Sequence, residues 1–182
     1  MVRSKLQSIG ILGGSFDPPH IGHIYISKQS IKFLKLKKII WAITKQNPLK
    51  KNSHFSLDLR KKLCRRIIRG HKKIKLKHYE GKLKSKTTFS LIKFLKKSNK
   101  YKIFFIIGSD NLINFHKWNR YKELLEMSEL VVFSRKGFDT KAKKSVIMRN
   151  LKGKNIKFLR NLKIDISSTQ LRNKIINGSK KN

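Results

Sequence analysis

The chain has 182 residues, enough for one domain with an apolar core that needs neither disulfides nor a structural metal. Lysine and arginine total 46 against 9 acidic residues, a formal charge of +37, but the lysines are scattered over almost every segment. That scatter favours a solvated basic surface, which gathers polyanions without specificity, over a dedicated nucleic-acid site. The single cysteine, Cys64, excludes a disulfide framework and a zinc knuckle. No apolar run approaches a membrane span or a signal-peptide core, so a reducing, cytoplasmic setting is expected.

Ser8 to Leu12 reads as a short buried strand, and from Ile21 the apolar residues Ile24, Ile31 and Leu34 recur at helical spacing. Gly13, Gly14, Ser15, Phe16, Asp17, Pro18, Pro19 and His20 lie between them, so the chain must turn sharply there, with Asp17 as a turn residue before Pro18. Such a turn aims a helix start at open space. Unpaired N–H groups and a partial positive charge at that end suit a phosphate, and the glycines let the backbone approach it closely. His20 and His23 add imidazoles three residues apart on the first turn. Taken alone, two histidines at this spacing more often cap and pack a helix than bind a ligand.

Lys38 to Ile43 reads as a second buried strand, with Trp41 in the core. It leads into a loop, TKQNPLKKNSHF, whose lysines stand past a strand's carboxyl end, the ligand edge of an open α/β sheet. Lys50 is the candidate phosphate contact there, a solvated lysine being the alternative. Ser56 can cap a helix carrying Leu57, Leu59, Leu63, Ile67 and Ile68 on one face, and Gly70 ends it. Ile74, Leu76 and His78 alternate with lysines as a third strand, and Phe89, Ile92 and Leu95 form the stripe of a core helix. His71 and His78 read as surface groups.

Tyr101 to Ile107 is the most hydrophobic run and is expected as a central parallel strand, buried on both faces. Gly108-Ser109-Asp110 follows at its carboxyl end, where Gly108 permits close approach and Asp110 can accept hydrogen bonds from ribose hydroxyls or cap a helix before Leu112. Tyr121 to Met127 reads as a helix and Leu130 to Phe133 as a fifth strand that delivers Arg135 to the ligand edge. Lys141 to Leu151 reads as a helix with a weak apolar face, and Ile156 to Leu159 as an edge strand. Ile166-Ser167-Ser168-Thr169-Gln170-Leu171-Arg172 opens a last helix, whose hydroxyls either cap it or, with Arg172 one turn on, face a phosphate chain.

The run GGSFDPPHIGH resembles the signature of the nucleotidyltransferases that carry an H-x-G-H motif on a Rossmann-like fold, and among them most resembles the nicotinate-nucleotide adenylyltransferases. The likeness extends from Ile9 to Gly178. It includes Asn47-Pro48-Leu49-Lys50 without the Pro-Pro-His of many members, and Ser85-Lys86-Thr87 with lysine where members carry tyrosine. It also includes GSDNLINFHKW, Arg135-Lys136-Gly137 in place of Arg-Pro-Gly, and the Ile166 to Arg172 motif. The resemblance implies one α/β nucleotidyltransferase domain over residues 1–182, a Rossmann-like parallel sheet with helices on both faces. It implies His20, His23 and Arg172 as catalytic residues. ATP would be bound by Gly13, Gly14, Ser15, Phe16, Gly108, Asp110, Ile166, Ser168 and Thr169.

Nicotinate mononucleotide would then meet Lys50, Thr87, Trp118 and Arg135, the indole of Trp118 stacking on its pyridine ring, a cation that an electron-rich face attracts. Mg2+ would accompany ATP with few protein ligands, and neither a specific nucleic acid nor a membrane is expected as partner. Core packing is the alternative for Trp118. The rival activity is that of a phosphopantetheine adenylyltransferase, which shares the first and last motifs in related form. No Walker loop and no Gly-x-Gly-x-x-Gly is present, so P-loop hydrolysis and ordinary dehydrogenase chemistry lack their equipment.

Overall fold

A computed structural model of the chain describes residues 6–46, 52–97, 100–150, 156–159, 168–169 and 171. Its short apolar, β-branched runs become six strands: β1 (Gln7–Gly14), β2 (Lys38–Ile43), β3 (Ile74–Lys77), β4 (Tyr101–Gly108), β5 (Glu129–Phe133) and β6 (Ile156–Leu159). All pair in parallel, in the order β3-β2-β1-β4-β5-β6. The order reverses between β1 and β4, which leaves a crevice beyond their carboxyl ends, the place where doubly wound sheets bind ligands.

Strand alternation assigns the two faces. Ile9 and Ile11 of β1 join Ile103, Phe105 and Ile107 of β4 under helices α4 (Thr88–Lys96) and α6 (Tyr121–Met127), which contribute Leu91, Ile92, Leu95, Leu124 and Leu125. Leu12, Phe104 and Ile106 point the other way, toward Ile24 of α1 (Ile21–Phe33) and Cys64 of α2 (Leu57–Ile67). Ser56 caps α2 by accepting from the Leu59 N–H. Burial pushes the Cys64 thiol up to about 12, so it behaves as core. No helix among the described residues is long and apolar enough to cross a membrane.

Three expectations change. β1 runs two residues further than its apolar core and takes Gly13 and Gly14 into the ladder opposite Ala42 and Ile43. The inner face of α1 is less apolar than the expected Ile24, Ile31 and Leu34: the fully buried positions are Gly22, Ile24, Ser27 and Ser30. Ser27 there accepts the indole N–H of Trp41 at 2.8 Å, so a polar residue satisfies the one donor of a buried aromatic. The single helix expected over residues 141–151 is two short ones, α7 (Asp139–Lys143) and α8 (Val146–Asn150), separated at Lys144 and the buried Ser145, since the two buried apolar positions, Ala142 and Ile147, stand five residues apart and do not share one helical face. Short helices α3 (Glu80–Leu83) and α5 (Ser109–Leu112) follow β3 and β4 directly.

Candidate active site

The turn after β1 is fixed by Phe16 and Asp17. Phe16 has a left-handed backbone (φ 48°), unusual for a bulky residue, and its buried ring stacks on Trp41 at 4.7 Å. Asp17 accepts the backbone N–H groups of His54 and Phe55 at 2.7 and 2.9 Å, the structural role expected of it. The chain then enters α1 with His20 in the extended N-cap position, and its backbone N–H donates to His23 Nδ1 at 3.1 Å. With Nδ1 accepting, the neutral His23 ring carries its proton on Nε2. The two imidazoles lie 3.9 Å apart, centroid to centroid.

Burial, and secondarily the charge of Arg135, lower the His20 pKa to about 4. His20 is therefore neutral near pH 7, and its buried Nδ1 has no hydrogen-bond partner among the described residues.

At the end of β4, Gly108 occupies the cap position of α5, and Asp110 falls in its first turn, not at the cap. A Cβ on Gly108 would stand 2.4 Å from Asp110 Oδ1, so glycine is required for that carboxylate to lie where it does. Asp110 Oδ2 pairs with Arg135 Nη1 at 2.6 Å. The Arg135 backbone is fixed in turn, donating its N–H to Ser109 Oγ at 3.0 Å and to Asp139 Oδ1 at 2.9 Å. Although burial works to raise it, the Asp139 carboxyl is held below its usual value by hydrogen bonds from the Ser134 hydroxyl and the Arg135 N–H.

Thr87 caps α4, accepting the Ser90 N–H at 3.2 Å within a cluster of the Ser85, Thr87 and Ser90 hydroxyls. Trp118 packs its ring against Phe105 and Phe115, with centroids 5.8 and 5.2 Å away, while its Nε1 is buried without a partner among the described residues.

Ser168 and Thr169 are helical, and the Ser168 hydroxyl donates to the Pro18 carbonyl at 2.9 Å, tying the last motif to the first across 150 residues of sequence. A cavity of about 820 Å³ is lined by residues from each of these segments. Gly13, Gly14, Ser15, Phe16, His20 and His23 line it, together with Gly108, Asp110 and Arg135. Thr87, Trp118, Ser168 and Thr169 also line it. Lys50, Ile166 and Arg172 lie outside the described residues.

Two further charged residues went unread in the sequence. Arg60, only 1% exposed, sits in α2 among exposed lysines and arginines that mask it. Its guanidinium donates to four backbone carbonyls: Ser15 at 2.6 Å, Thr44 at 2.9 Å, Lys45 at 2.8 Å and Phe55 at 3.0 Å. Glu80 lines the cavity and reaches back to the loop after β2, contacting the Thr44 hydroxyl and accepting the Lys45 N–H at 3.1 Å. Arg60 interrupts the apolar stripe between Leu57 and Leu63, which is the only trace either residue leaves in the pattern.

A crevice at the reversal of a parallel sheet, lined by a glycine turn, paired imidazoles and hydroxyls at a helix start, is the architecture of a nucleotidyltransferase. A profile of the cytidylyltransferase-like family matches residues 11–174, and the chain belongs to that family. Its curated relatives narrow the class to nicotinate-nucleotide adenylyltransferases. The chain is 48% identical to a probable nicotinate-nucleotide adenylyltransferase of Pelagibacter ubique, over 94% of this chain and 95% of that one. It is 37% identical to a protein of the same description from Nitratiruptor sp., over 91% and 88% of the two chains. A Plasmodium falciparum nicotinic acid mononucleotide adenylyltransferase, solved in complex with NaAD, shares the fold with a TM-score of 0.72 at 23% identity, over 92% of this chain and 83% of that one.

Proposed function

We propose that the protein transfers the adenylyl group of ATP to nicotinate mononucleotide, forming nicotinate adenine dinucleotide and pyrophosphate in NAD biosynthesis. The observation that carries this reading is the meeting of three distant segments, around His20, Trp118 and Ser168, on one cavity large enough for two nucleotides. Close kinship to adenylyltransferases of that specificity supports the choice of substrate.

The reaction needs no strong base. An oxygen of the mononucleotide 5′-phosphate, already anionic at neutral pH, attacks the α-phosphorus of ATP as the bond to the bridging β-phosphate oxygen breaks, and pyrophosphate leaves. What the site must supply is alignment and stabilisation of negative charge on the transferring and leaving groups. His20 and His23 at the start of α1 would donate to those oxygens, His20 as a neutral ring. Ser168, Thr169, Ile166 and Arg172 would hold the pyrophosphate end, and Gly13, Gly14, Ser15 and Phe16 would let the backbone meet the phosphates closely. Asp110, next to Gly108, would accept ribose hydroxyls of ATP. Lys50, Thr87, Arg135 and the Trp118 indole would receive the mononucleotide.

Mg2+ would enter with ATP and neutralise phosphate charge. Among the described residues no three His, Cys, Asp or Glu side chains converge as a metal cage. Mg2+ would be carried by phosphate oxygens and water, the coordination that it favours. On this reading residues 1–182 form one catalytic domain working in the cytoplasm.

Incubation with ATP, Mg2+ and nicotinate mononucleotide, followed by chromatography of the products, tests the proposal. Nicotinate adenine dinucleotide and pyrophosphate in equal amounts are expected. Pyrophosphate release with phosphopantetheine but not with the pyridine mononucleotide would overturn it.

A further inference from the structure

Arg60 is a cation where the fold has no evident need of one. Buried and outside the residues that line the cavity, it places all four of its hydrogen bonds among the described residues on backbone carbonyls, none on a carboxylate. Asp17 and Glu80 act on it only at longer range. A buried charge without a contacting counter-ion is costly, and a neutral donor or an apolar side chain could anchor a loop at lower cost. Beyond the distant Asp17 and Glu80, an anion held in the cavity would offset that cost further.

Its hydrogen bonds also decide which way the cavity's backbone faces. Ser15 and Thr44, two of the carbonyls it holds, belong to residues that line the cavity. In a trans peptide the C=O and the following N–H point in opposite directions. Drawing the Ser15 carbonyl to Arg60 therefore turns the Phe16 N–H away from the guanidinium, and Phe16 is itself a residue of the cavity lining. The same bond braces Phe16 in its left-handed conformation, which a phenylalanine does not adopt without support.

We infer that Arg60 is a positioning residue for polyphosphate recognition: it orients the Ser15–Phe16 peptide so that an N–H faces the ATP phosphates, and it adds a buried positive potential behind them. The inference rests on the assignment of this cavity to ATP, and its test separates the two. Arg60→Lys keeps the charge but not the planar fork that spans four carbonyls, and Arg60→Gln keeps a donor but not the charge.

Calorimetric titration with ATP and with nicotinate mononucleotide, on protein whose folded fraction is fixed by circular dichroism and melting temperature, provides the readout. In both variants ATP affinity is expected to fall about tenfold or more while mononucleotide affinity stays within about twofold. ATP affinity at the wild-type level in either folded variant would overturn the inference, as would equal loss for both ligands or failure of both variants to fold, which would leave Arg60 a scaffold residue. Absence of ATP binding in the wild-type protein would instead sink the assignment of the cavity.

Discussion

His20 carries the sharpest expectations at the scale of one residue. Replacement by alanine removes a donor from the reacting phosphates and should lower turnover by about a hundredfold or more, with the melting temperature little changed. Steady-state rates on folded protein check this, and near-wild-type turnover would remove His20 from the mechanism. The same ring sets a pH signature. Its pKa of about 4 in the folded chain lies below the ordinary 6.5, so between those values the unfolded chain binds the extra proton. The stability that the neutral ring contributes is complete above pH 6.5 and is lost as pH falls toward 4. Denaturant titrations should show a smaller loss over that window in His20→Ala than in the wild type.

Strand β1 and the turn after it separate the demands of folding from those of binding. A Cβ at Gly10 would stand 2.8 Å from Leu36 Cδ1 and 2.9 Å from Ile106 Cδ1, inside the core. At Gly13 and Gly14 the nearest atoms, on Phe105 and Phe16, are 3.8 and 3.6 Å away, ordinary contact distances, and neither backbone needs a positive φ. Gly10→Ala should therefore destabilise by about 1–3 kcal/mol through overpacking. Gly13→Ala and Gly14→Ala should fold normally and lose ATP affinity, because the added methyl fits against Phe105 or Phe16 without overlap but stands in the lining of the cavity. Thermal melts and ATP titrations of the three variants distinguish the cases; equal destabilisation would mean that the glycines serve the strand alone.

Elements such as β2, α6 and β6 were legible because one pattern, apolar runs or helical spacing, dominated each. α1 was legible in its start but not in its buried face, since Ser27 and Ser30 satisfy donors and acceptors that sequence spacing does not display. The break between α7 and α8 was hidden because Val146, Ile147 and Met148, directly after Ser145, read as a continuation of the weak apolar face that Ala142 begins.

For the whole molecule, the parallel sheet and the place of the crevice were implied by the family resemblance, and the cavity gathers every expected binding residue that is described. Arg60 was not legible, because its meaning lies in carbonyls from three other segments that no local pattern links to it. The charge of +37 acts at this scale too, surrounding a site for two anionic substrates. Raising salt from about 50 to 300 mM should lower kcat/KM several-fold with kcat nearly constant, as screening removes attraction at a distance. A salt-independent kcat/KM would mean that the basic surface plays no part in capture.

The most direct measurement is a crystal structure of the protein with nicotinate adenine dinucleotide bound. The dinucleotide phosphates are expected beside His20 and His23, the adenosine ribose at Asp110 and the pyridine ring against the Trp118 indole. A dinucleotide seated elsewhere, or a pyridine ring remote from Trp118 with the imidazoles untouched, would contradict the convergence of these segments on one transfer site.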